Sequence, residues 1–176
     1  METYFIIGAL ISATTGAVQD VRARRIPNWL TYGSLVTGFG ARTFWEGWHG
    51  LAQSTEGMLA GGGVFFLFFL VRGIGAGDVK LMGAVGAWVG IWPTLLVILY
   101  TAFAGLGIAV FYMTFYGRVG DTMGNVGELV RFHLTSGVKP HPKINLQDPG
   151  AIRMPYGLAI AMGTLFLFVS TVPVLR

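Results

Sequence analysis

The sequence predicts an all-α, polytopic membrane protein: one domain over residues 1–176, with about six transmembrane helices in a single bundle. Three observations carry that expectation. Of 176 residues, 53% are hydrophobic and 11% charged, against about 25% charged in soluble domains, and the mean hydropathy is +0.64. Apolar stretches near the length of a membrane span, ~17–25 residues, recur between polar interruptions. The cations also fall in alternate interruptions. If the spans alternate, Arg22, Arg24, Arg25, Arg72, Lys80, Arg118, Arg131, Lys139, Lys143 and Arg153 share one side, and only Arg42 and Arg176 take the other. Positive charge marks the cytoplasmic side, so both termini are expected outside. The net charge of +4 is thus read as topology, with no nucleic-acid partner. Cysteine is absent, which excludes disulfides, thiol nucleophiles and Cys-ligated zinc. The opening Met1-Glu2 lacks the basic n-region of a cleavable signal peptide.

The first span is expected at about Tyr4 to Val18, followed by the cytoplasmic Asp20-Val21-Arg22-Ala23-Arg24-Arg25. Ile26-Pro27-Asn28 re-enters the membrane, proline being tolerated in a helix's first turn. The second span, Trp29 to Trp45, carries tryptophan near each end as an interfacial anchor. Glu46 to Glu56 has no Lys or Arg and reads as an outer loop. In the third span, Gly57 to Val71, Gly57 and Gly61 have the spacing that brings helices close. Arg72-Gly73-Ile74-Gly75-Ala76-Gly77 then forms a glycine-rich bend. The fourth span starts at Asp78 or Val79 and ends at an outer turn, Trp92-Pro93. Its two faces of small residues (Gly83 with Ala87, Gly86 with Gly90) suit a buried central helix. The fifth span runs from Thr94 to Tyr116, and the last from Pro155 to Val172. Between them, residues 117–153 form a polar cytoplasmic loop. A short amphipathic helix is expected there around Gly127 to Leu134, on Val126, Leu129, Val130 and Leu134.

This topology places two carboxylates at one depth, because Asp20 ends the first span and Asp78 begins the fourth on the same side. Two readings fit Asp78: a cap for the following helix, and a carboxylate for chemistry at a membrane helix end. Asp20 likewise reads either as a juxtamembrane charge neutralised by Arg22 and Arg24 or as Asp78's partner. Two close carboxylates do not both ionise easily and share a proton, which polarises a peptide carbonyl while activating a water. The remaining acids give no such pair: Asp121, Glu128 and Asp148 lie in the inner loop, and Glu46 and Glu56 flank the outer one. His49, His133 and His141 have no ligand spacing, so no metal is expected. The serines have no base nearby. Lys80 either stabilises developing charge or simply marks the cytoplasmic side. The Phe65, Phe66, Phe68 and Phe69 run reads as lipid-facing or core packing.

Three segments resemble the type IV prepilin peptidases, membrane aspartic proteases of the G-x-G-D kind. They are Asp20-Val21-Arg22-Ala23-Arg24-Arg25-Ile26-Pro27-Asn28, Gly75-Ala76-Gly77-Asp78-Val79-Lys80 and Arg153-Met154-Pro155-Tyr156-Gly157-Leu158-Ala159. They occur in the family's order and cover nearly the whole chain. The resemblance implies that Asp20 and Asp78 are the catalytic pair, with Gly75, Gly77, Lys80, Pro155, Tyr156 and Gly157 as candidates for approach of the substrate backbone. It also implies prepilin or pseudopilin substrates, cut where a short basic leader meets a hydrophobic helix. The expected setting is the cytoplasmic face of a bacterial inner membrane, with lipid and the pilus assembly machinery as partners and no cofactor. Full-length members carry paired C-x-x-C motifs that accompany N-methylation; with no cysteine here, methylation is not expected. The short form looks most like the tight-adherence (Flp) pilus peptidases, while archaeal preflagellin peptidases share the G-x-G-D logic. From the residues alone, a second class stays open: a non-enzymatic scaffold or small proton-coupled transporter using the interfacial aspartates.

Overall fold

Glycines at helix crossings and reversals set the architecture of the computed structural model, which describes residues 3–117, 119–137, 139–142, 144 and 154–171. Six helices carry these residues: α1 (Thr3–Ala23), α2 (Asn28–Leu70), α3 (Ala76–Val89), α4 (Ile91–Phe115), α5 (Val119–Ser136) and α6 (Tyr156–Thr171). Arg118, Lys143, Asp148, Arg153, Val172 and Arg176 lie outside the described residues.

α2 is a hairpin. Gly47 departs from helical geometry at φ 60° and ψ −140°, a conformation that residues with a side chain rarely adopt. The arm 48–70 then folds back along 28–46, and a Cβ at Gly50 would run into the Arg42 carbonyl. The expected outer loop from Glu46 to Glu56 is therefore helical apart from that one glycine, a correction to the sequence reading. Polar side chains did not forbid helix because they found partners within it or across it: Thr55 bonds Leu51 O at 2.9 Å and Ser54 bonds Ala87 O at 2.8 Å. The outer turn expected at Trp92-Pro93 is likewise displaced, to Gly90 at φ 81°. Ile91, Trp92 and Pro93 are instead the first turn of α4, where proline's missing N–H costs nothing.

α3 is the hub, as its small-residue faces predicted. Leu81, Met82, Ala84, Val85 and Ala87 are fully buried. A Cβ on Gly86 would strike the Gly57 carbonyl, and one on Gly61 would lie 2.7 Å from the Met82 carbonyl. These contacts make the second arm of α2 antiparallel to α3. Asn28 meets Lys80 while Gly38 meets Trp88, so the first arm runs with it. On the other side α1 is antiparallel to α3, Gly8 facing Trp88 and Gly16 facing Leu81. α6 pairs with α1 through Gly157 and Asp20, and with α4 through Gly163 and Thr101. Direction thus alternates along α1, the two arms, α3, α4 and α6. The ends of α1, α2 and α4 meet the starts of α2, α3 and α6 at one end of the bundle.

Two helices, α1 and α4, are long and apolar enough to cross a membrane, and α6 is a shorter apolar helix. The structure is all-helical, without strands among the described residues; the count of six full spans is not reached by length and apolarity alone. The phenylalanine run divides: Phe65 is buried, while Phe66, Phe68 and Phe69 are exposed. The loop expected over 117–153 holds a longer helix than the 127–134 segment, Val119–Ser136.

Candidate active site

α1 does not stop at Val18. It continues to Ala23, so Asp20 sits in its last turn rather than in the loop beyond it. Arg24 closes that turn, its N–H donating to Asp20 O at 2.8 Å, with φ at 49°. α2 ends in the same manner at Arg72, φ 58°, where Gly73 N–H reaches back to Phe68 O at 3.0 Å. Glycine usually takes this left-handed position. An arginine there instead puts a cation at the negative end of each helix dipole.

A carboxylate in the last turn of α1 faces the unfavourable end of that dipole. α6 compensates: Gly157 N–H, in its first turn, donates to Asp20 Oδ2 at 2.9 Å. Close approach is what the glycine supplies, since a Cβ at 157 would lie 3.0 Å from Asp20 Cβ. Asp78 occupies the third position of α3, with Gly75 as the N-cap, and its Oδ2 accepts from Gly75 N–H at 3.0 Å. The capping reading of Asp78 is thereby refined: it reaches back to the cap's own amide. Each aspartate commits Oδ2 to a glycine amide and keeps Oδ1 for another partner. Asp78 is 9% exposed and Asp20 is half-buried. They stand close enough that Asp20's charge acts on Asp78, and Asp78's charge acts on Tyr156.

The two aspartate segments interlock. Ile26 and Ile74, one from each, are buried in the core, and Gly77 lies where a Cβ would be 3.1 Å from Ile26 Cβ. Lys80 Nζ donates to Asn28 Oδ1 at 2.9 Å and stands over the Tyr32 ring at 5.0 Å. In this arrangement Lys80 fastens α3 to α2. Tyr156 packs edge-on to Phe65 at 6.5 Å and, with Met154, Pro155, Ala159, Gly105 and Ile108, lines a shallow apolar groove between α4 and α6. Asp20, Gly75, Gly77, Asp78, Lys80, Pro155, Tyr156 and Gly157 therefore share one end of the bundle. Glu46 is at the far end, and Asp121 and Glu128 are on α5. Among the described residues no group of three or more His, Asp or Glu side chains is placed to hold a metal.

Two contacts were not legible in the sequence. Gly157 enters there only through the resemblance, as a candidate for approach of the substrate backbone, and nothing local says that its amide meets Asp20. Arg42 reads as an outer-side cation, yet it is 5% exposed. It pairs with Glu46 at 2.7 Å, donates to Trp88 O at 3.3 Å, and lies over the Phe5 ring at 4.8 Å. It thus caps the end of α3 opposite Asp78.

Neither a curated protein nor a solved structure matches the chain. A family model does, over residues 5–110, which hold both aspartate segments; its description is the type IV leader peptidase family. The chain belongs to that family, and is accordingly a protease of the kind that acts on prepilin-type substrates.

Proposed function

We propose that this protein is a membrane aspartic endopeptidase that removes the short leader from prepilin-like proteins, of the Flp type, at the cytoplasmic membrane face. The observation that carries the reading is that Asp20 and Asp78, on separate helices at one end of the bundle and each held by a glycine amide, lie close enough to interact electrostatically. In the reaction, one carboxylate takes a proton from water as the oxygen attacks the scissile carbonyl carbon. The other, protonated, gives its proton to the carbonyl oxygen. Collapse of the tetrahedral intermediate breaks the C–N bond and delivers a proton to the leaving amine, yielding a carboxylic acid and a new N-terminus. Fixed backbone donors place the carboxylates before substrate arrives.

Six alternating passes across the bilayer fit the alternating helix directions and the many exposed Trp, Phe and Leu side chains. Orientation follows from charge. Arg22, Arg24, Arg25, Arg72 and Lys80 cluster at the aspartate end, whereas Arg42 at the other end is buried against Glu46. Methylation of the product is not part of the proposal. Co-expression with an Flp-type pilin precursor tests it: the wild type shortens the precursor on a gel. Normal processing by both Asp20→Ala and Asp78→Ala would overturn the assignment.

A further inference from the structure

α5 carries an apolar stripe that no part of the described chain covers. Val119, Met123, Val126, Val130 and Leu134 recur every three to four residues, which places them on one face. They are about half exposed, and Leu134 is 81% exposed. Asp121, Glu128 and Thr135 fall on the opposite face by the same spacing. The segment that returns from α5 packs on that polar side. Its buried His141 stacks edge-on against Phe132 at 4.7 Å and contacts Glu128 at 3.4 Å. The one large aromatic of the polar side is thus attended to, and the stripe is left bare.

What lies against the stripe follows from α4. Its 25 residues measure about 37 Å, more than the ~30 Å hydrocarbon core. Its exposed Phe103, Leu106, Phe111 and Phe115 form an apolar flank. A helix of that length entering one side of a bilayer ends at the opposite surface. Tyr116 closes α4, Gly117 turns the chain at φ 64°, and Val119 begins both α5 and the stripe. α5 is therefore tethered at the membrane surface.

We infer that α5 is an interfacial helix that lies on the cytoplasmic leaflet with Val119, Met123, Val126, Val130 and Leu134 in the lipid. This rests on the reading of α4 as a membrane span. Within α5, Asp121 and Glu128 outnumber Arg131, so apolar burial rather than attraction to anionic lipid holds it down. Zwitterionic phosphatidylcholine vesicles suffice for docking.

The absence of native cysteine makes the test direct. Single variants Met123→Cys, Val126→Cys and Val130→Cys on the stripe, and Asp121→Cys and Thr135→Cys opposite it, are spin-labelled in the full-length protein and reconstituted. All five side chains are exposed on the folded chain, so the fold is not at stake. Collision with oxygen should exceed collision with a water-soluble nickel chelate at the stripe, at a depth of roughly 5–10 Å, and the ratio should invert at the opposite positions. Water accessibility at all five positions would overturn the proposal. So would stripe labels that are immobilised and shielded from both reagents, the signature of a second copy or a protein partner. Phe103→Cys and Leu106→Cys on α4 separate the two readings: lipid-exposed there and wet on α5 refutes the docking alone, whereas wet at both refutes the membrane span.

Discussion

Replacing Gly157 by alanine isolates the contact that holds Asp20. The new Cβ would stand 3.0 Å from Asp20 Cβ, 3.1 Å from its Oδ2 and 3.4 Å from Ala17 Cα. Backbone on the α1 side does not yield, so the aspartate side chain turns away and its 2.9 Å bond to the 157 amide is lost. Crowding costs about 1–3 kcal/mol, while alanine in a helix returns about 0.5–1 kcal/mol relative to glycine. The net loss of stability is roughly 0–2.5 kcal/mol, and the folded bundle persists. A displacement near 1 Å at a reacting group costs on the order of 10²-fold in rate. The expected result, with purified protein and a synthetic leader-helix peptide, is a kcat about a hundredfold lower with KM unchanged. Gly163→Ala serves as control, since its Cβ would strike Thr101 and Val97 backbone atoms away from the aspartates. It should lower thermal stability yet leave kcat per folded molecule intact. Wild-type kcat in Gly157→Ala at equal folded protein would refute the idea that this amide positions Asp20.

Asp20→Asn and Asp78→Asn keep shape and remove the titrating proton; each should cut cleavage by about 10²–10⁴-fold with unchanged expression. The wild-type rate should be bell-shaped in pH. On the acid side both carboxylates are protonated and no base remains; on the alkaline side both are ionised and no acid remains. The two apparent pKa values belong to the pair, and a flat profile would contradict shared-proton catalysis. Gly86→Ala drives a methyl into the Gly57 carbonyl and should cost about 1–3 kcal/mol in detergent melts. Glu46→Gln leaves the buried Arg42 without its counter-charge but keeps an acceptor beside it, at a site where Glu46 is partly exposed, and should destabilise by about 1–3 kcal/mol.

Much of this organisation was readable from residue patterns. Gly57, Gly61, Gly83 and Gly86 announced close crossings, and the crossings lie there, because only missing side chains permit backbone contact at those positions. Counting cations places the two aspartates at one end, which depends only on alternation of direction. Boundaries were less legible. Asp20 sits inside α1 because arginines extend a helix C-terminus favourably, though by apolarity alone the span had ended at Val18. Glu46 to Glu56 reads as an outer loop for want of Lys and Arg, whereas Arg42, one helical turn away, and the Ala87 carbonyl, distant in sequence, satisfy its polar groups. The bonds of Gly157 to Asp20 and of Lys80 to Asn28 join segments that no local spacing relates.

The two reversals far from the aspartates, at Gly47 and Gly90, are each accomplished by a single residue. With no slack there, the helices on either side are locked in phase. One inserted residue at Gly47 would rotate the arm behind it by about 100°, swinging Gly57 and Gly61 off α3 and presenting bulkier side chains to it. That end of the bundle therefore cannot tolerate changes in length, and variation by insertion is confined to the end that carries the aspartates and α5.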